Sequence, residues 1–167
     1  MKKTIAMLLG MLMLLALLLG ALAESTGILT EDDLGIPNPW VDCGDDLALA
    51  AEVAGFEFRI PALANYTVSV LPGELIKVTY PKDEVTDIVL CEAAVEPESG
   101  DLSGDYNDYP VEETRTISGI EAAIRGDSEL IYVANFNIGD SWYCISCTGG
   151  LSEEELGASI AELQSLH

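Results

Sequence analysis

Four cysteines, Cys43, Cys91, Cys144 and Cys147, offer the most chemistry in this 167-residue chain. The last two form a C-x-x-C within WYCISCTGG, residues 142–150. A thiol–disulfide oxidoreductase would use Cys144 and Cys147 as its redox pair. It would need a helix N-terminus or a neighbouring cation to lower the thiol pKa. Here aromatic and β-branched residues surround the pair and favour a strand, and no Lys, Arg or His adjoins it. A zinc site wants four converging thiolates, and one C-x-x-C with two scattered partners is a weak form of that signal. Structural disulfides are the third use, which an even count in an exported chain favours. Side chains alternate faces along a strand, so Cys144 and Cys147, three apart, should point opposite ways. Cys147 shares a face with Tyr143 and Ile145, expected beneath the helices, and Cys43 at the mouth of a first helix is its expected partner. Cys144 shares a face with Trp142 and is expected to bond Cys91 on a neighbouring strand. The expected pairs are therefore 43–147 and 91–144, each staple adding about 2–4 kcal/mol.

Other reactive groups are sparse. The only histidine is His167, the last residue of the sequence, where a frayed position is the expectation. No Gly-rich phosphate loop or H-E-x-x-H occurs, and among 29 acidic residues no catalytic carboxylate pair stands out. The stretch SGDLSGDYNDY puts oxygen donors at Asp101, Ser103, Asp105, Asn107 and Asp108. Odd spacing of such donors is a partial match to a calcium loop, but the Gly at the sixth and the Glu at the twelfth position are missing. Asp and Asn also form ordinary turns, and a solvated loop is the default. Trp40, Tyr106, Tyr109 and Trp142 exceed what one core needs. They could line an open sheet face that holds a ligand. Alternatively, Trp142 covers a disulfide and Trp40 anchors the segment before it. No catalytic residue and no cofactor is expected.

Charge and the leader bound the setting. With 29 acidic against 7 basic residues, the formal net charge is -22. Such a chain is repelled by phosphate backbones and anionic surfaces, which argues against nucleic acid and leaves an unknown protein or small molecule as partner. Lys2 and Lys3, an apolar run over 5–19 and Ala21-Leu22-Ala23 read as a secretory signal peptide over 1–23, cleaved before Glu24. The run is close to the ~20 residues that span a bilayer, so a retained anchor is the alternative. Cleavage would leave a secreted or envelope protein with no membrane segment. A flexible lead over 24–39 and one domain over 40–167 follow, a usual size for a single core.

The elements that must position these residues follow from pattern. A first helix is expected over 44–54, with Asp45 and Asp46 near its positive end and Gly55 as its stop. Phe56, Phe58 and Ile60 alternate as a strand would. Strands over 66–71 and 74–80 flank Leu71-Pro72-Gly73-Glu74, a type II turn signature. Further strands are expected over 86–92, 112–117, 120–125, 129–136 and 141–147, the stretch GIEAAIR also having helix-forming residues. Ser152 and Glu155 form a capping box ahead of an amphipathic last helix. The fold class is α+β: a curved antiparallel sheet of about seven or eight strands, with an N-terminal and a C-terminal helix packed on one face.

The segments NPWVDC, AAEVAGFEFRIP, GELIKVTY, SGDYNDY and YCISCTGGLSEEEL, in that order from Asn38 on, resemble an uncharacterised secreted-domain family of Gram-positive bacteria. That resemblance implies a fold and an exported location, and it carries no activity. A binding or accessory domain is the expected function. The alternatives are the oxidoreductase using Cys144 and Cys147, and a carrier of an apolar ligand in a cavity between sheet and helices.

Overall fold

The computed structural model describes residues 38–167; the expected signal peptide and nearly all of the lead lie outside them. Residues 39–167 form one compact unit. Its elements are β1 (Val41–Gly44), α1 (Leu47–Ala54), β2 (Thr67–Leu71), β3 (Leu75–Pro81), β4 (Asp87–Ala93), β5 (Val111–Ile117), β6 (Ile120–Gly126), β7 (Ile131–Ile138), β8 (Ser141–Leu151) and α2 (Glu153–Gln164). The strands make one eight-stranded sheet in the order β1-β2-β3-β4-β8-β7-β6-β5, antiparallel at every seam. Two four-stranded meanders are thus joined where β8 docks on β4. Among the described residues no helix is long and apolar enough to cross a membrane.

Local sequence explains most boundaries. The Asp46 carboxylate accepts from the Leu49 N–H at 3.0 Å and caps α1. Gly55 ends it in the left-handed conformation (φ 78°), which Gly adopts without strain. The helix begins three residues later than the 44–54 expectation because 41–44 pair with β2 instead, through a bulge between Asp42 and Gly44. The Leu71–Glu74 turn closes with Glu74 N–H donating to Leu71 O at 3.0 Å and Gly73 at φ 76°. At α2, Ser152 and Glu155 cap reciprocally, as their spacing predicts. The expected strand at Phe56–Ile60 does not form. Its alternating residues are half-buried against the core, so the alternation records burial without a pairing partner. GIEAAIR is strand β6.

Register fixes which side chains share a face. Val68, Val78, Leu90, Ile145, Ala134 and Ile124 stand opposite one another in one row from β2 to β6. All six are buried. Ala50 and Ala54 of α1 and Leu156, Ile160 and Leu163 of α2 belong to the same apolar cluster. One residue along, the row Lys77, Cys91, Cys144, Asn135 and Ala123 occupies the other face. There a small second cluster forms: Cys91, Val133 and Cys144, with Leu75, Val89, Leu102 and Tyr109 packed on them.

Candidate functional site

Topology makes the connection from β4 to β5 long. Those strands have β8, β7 and β6 between them, so residues 94–110 must cross about 19 Å of sheet, four strand spacings. They do so as a strap over the second cluster. Its backbone is fixed by a run of side-chain turns. Asp101 N–H donates to Ser99 Oγ, Ser103 N–H to Asp101 Oδ1, Asp105 N–H to Ser103 Oγ, and Asn107 N–H to Asp105 Oδ1, at 2.8–3.2 Å. The odd spacing that resembles a calcium loop thus makes consecutive Asx and Ser turns.

A guanidinium sits where a cation would. Arg125 of β6 donates to Asp101 Oδ2 and Ser103 Oγ, each at 2.8 Å, and to Asp105 O at 2.9 Å. Asn135 of β7 donates to Asp101 Oδ1 at 3.0 Å and accepts from Leu102 N–H at 3.0 Å. Tyr109 donates to Asp105 Oδ2 at 2.7 Å and stacks on Tyr132 with 5.3 Å between centroids. Burial alone would raise the Asp101 pKa, but Ser103, Asn135 and Arg125 outweigh it and hold the carboxyl below its ordinary value. Asn107 and Asp108 are exposed on the strap. Beside the strap runs a groove of about 520 Å³, lined among others by Asp101, Glu112, Thr114, Ala123 and Asn135.

Beneath the strap, Cys91 and Cys144 stand directly opposite across the β4–β8 seam. All four cysteines are buried free thiols. Burial pushes Cys91 up to about 12, with Lys77 opposing and Asp101 adding to it. Cys144 is also raised, by burial first and then by Cys91 and Asp101. Cys147, beside Tyr143 and Ile145 in the main core, lies on the face away from Cys144, and both belong to extended β8. The expected 43–147 pair is corrected by the strand order. Cys43 is on β1 and Cys147 on β8, with β2, β3 and β4 between them. That places them about four strand spacings apart, well beyond the ~7 Å limit for bridging Cα atoms.

The aromatic candidates are distributed over both halves of the sheet. Lys77 Nζ lies 4.3 Å from the Trp40 ring centroid, on the β1–β3 side, whereas Tyr109 is fastened over β6 and β7. Trp142 is half-buried between Ala93 and Asn137 in register, and Tyr106 is 96% exposed.

A second polar arrangement went unread in the sequence. On the core face Glu92 is 3% exposed, the one buried charged residue among those described, and its Oε2 has no partner. It stands opposite Tyr143 in register. Burial raises its pKa despite hydrogen bonds from Ser141, Tyr143 and the Arg59 backbone, and despite the Arg59 charge. Tyr143 stacks on Phe136, and its hydroxyl is 2.7 Å from His167 Nε2. The Arg59 guanidinium bonds Leu166 O. His167 is therefore docked, contrary to the frayed position its place in the sequence suggests. Carboxyl, phenol and imidazole form a line that runs from buried Glu92 through Tyr143, 1% exposed, to the exposed His167. The signal that could have revealed it is Glu92 itself, a carboxylate at an inward position of an apolar strand. Compared with known proteins, the chain matches no family model, no curated protein and no solved structure.

Proposed function

We propose that residues 39–167 are a non-catalytic binding module of an exported protein, related to the uncharacterised secreted-domain family its segments resemble. The observation that carries this reading is the strap with its adjoining groove. A long connection without secondary structure, held in a defined shape by Arg125 and Asn135, is a common way to build a binding surface on a rigid sheet. We further infer that both helices cover the opposite face. Their shared apolar cluster with the inward strand row supports this. That arrangement leaves the strap face for recognition. The groove's lining sets Asp101, Glu112 and Glu113 against Arg125, a net acidic surface within a chain of net charge -22, and favours a cationic small molecule or a basic protein segment.

Two rivals are less well supported. A redox catalyst needs an accessible thiol of low pKa, whereas Cys144 and Cys147 are buried on opposite faces of β8. A carrier needs room between sheet and helices, where Tyr143, Ile145, Leu156, Ile160 and Leu163 pack at 1% exposure or less. The test is an array of basic peptides, polyamines and envelope glycans probed with the wild type and with Thr114→Arg, which fills the groove from an exposed strand position. Retention by the wild type and loss in the variant, at unchanged thermal stability, is expected. Equal retention by both proteins, or none by the wild type, rejects the groove. Insulin reduction faster than with dithiothreitol alone would favour the oxidoreductase.

A further inference from the structure

Only one pair of cysteines stands directly opposite across a strand seam in this fold. Residues directly opposite on adjacent antiparallel strands have Cα atoms about 4.5–5.5 Å apart, inside the span that disulfides bridge. Cys91 and Cys144 are so placed. Cys147 faces the main core, and Cys43 is on the far edge strand. Both members of the facing pair are free thiols, 2% and 0% exposed, under Leu102 and Tyr109 of the strap. The strap is held down by polar fasteners, Arg125 and Asn135, and by Leu102 and Tyr109 packed on the cysteine cluster.

We propose that Cys91 and Cys144 are a redox-active structural pair, closed by a low-molecular-weight disulfide and shielded by the strap. In the reaction two S–H bonds are replaced by one Sγ–Sγ bond. The two electrons and two protons pass to glutathione disulfide, which leaves as two thiols. The first step is attack by a Cys thiolate on the small disulfide. Its mixed disulfide is then displaced by the second Cys across the seam. The bond ties β4 to β8, the single seam joining the two four-stranded halves. Because attack requires an exposed sulfur, both oxidation and reduction wait on strap opening. Cys43 and Cys147 stay reduced. None of this depends on what the groove binds.

The experiment uses the full chain, reduced and folded, then held in oxidised glutathione, alkylated and digested without reduction for mass spectrometry. A Cys91–Cys144 peptide is expected, with Cys43 and Cys147 alkylated. Refolding in the same buffer should give the same peptide faster, since the strap is then open. In Arg125→Met, with fold checked by circular dichroism, the folded protein should oxidise about tenfold faster, the loss of a charge-assisted fastener. Asn135→Ala is the second variant should the first not fold. Alkylated Cys91 and Cys144 after both treatments, or a 144–147 peptide, would overturn the pair. Equal oxidation rates in wild type and variant would overturn the shield.

Discussion

Two carboxylates, one on each face of the sheet, meet opposite fates. Asp101 on the strap face has both oxygens engaged, by Arg125, Asn135 and the Ser103 N–H, and its pKa is lowered. Glu92 on the core face has one oxygen unpartnered, and burial raises its pKa. The linkage signs are therefore opposite. Between its folded value and the ordinary 3.8, Asp101 binds more protons unfolded than folded. Its stabilisation is full above that window and lost as pH falls through it. Glu92 binds more protons folded than unfolded above the ordinary 4.5. Its stabilisation is full below that value and lost as pH rises through the folded one. The strap face is thus held by satisfied charge and the core face by burial, which tolerates one poorly solvated carboxylate.

The largest contrast is expected from leucine truncation. Leu156→Ala in the main apolar cluster, fully buried, should cost about 3–4 kcal/mol through lost transfer energy and a cavity. Leu102→Ala in the half-buried strap should cost about 1 kcal/mol. Urea denaturation reads both, and equal costs would break the distinction between the faces. Next come the carboxylates. Glu92→Gln should stabilise the protein by about 1 kcal/mol at neutral pH, since an amide is cheaper to bury than a charge, and the gain should vanish below pH 4.5. Asp101→Asn should destabilise by about 1 kcal/mol at neutral pH, by weakening the partly buried pair with Arg125. That loss should shrink as the wild type is acidified below 3.8. Two pH–stability curves that shift in the same direction would reject the assignment of signs.

What could be read in the sequence was local. The capping box at Ser152 and Glu155, the Leu71–Glu74 turn and the opposed faces of Cys144 and Cys147 are relations among residues a few positions apart, set by backbone geometry. The placement of Cys91 opposite Cys144 followed from the alternation rule and a correct pair of neighbouring strands. The 43–147 pair needed the order of strands, and no local rule says that β8 inserts beside β4 while β1 takes the edge. The strap shows the same limit. Oxygen donors at 101, 103, 105 and 107 suit a cation or a run of turns equally well, and the deciding group, Arg125, comes from another strand. Phe56, Phe58 and Ile60 were legible as an alternating run, but not as one that stays unpaired and half-buried against the core.

His167→Ala removes the 2.7 Å contact to the Tyr143 hydroxyl and the edge-on ring contact at 5.9 Å. Tyr143 keeps its contact with Glu92, so no buried hydroxyl is orphaned and the cost should be about 0.5–1 kcal/mol. Hydrogen exchange should speed up at 163–167, where the last turn is fastened through Arg59 and Tyr143. Amides of the strap, held by Arg125 and Asn135 on the other side of the sheet, should keep their rates, because distant sites without shared partners act independently. A strap that exchanges faster in this variant would mean that Glu92, Tyr143 and Cys144, adjacent along the β4–β8 seam, couple the two faces through the sheet.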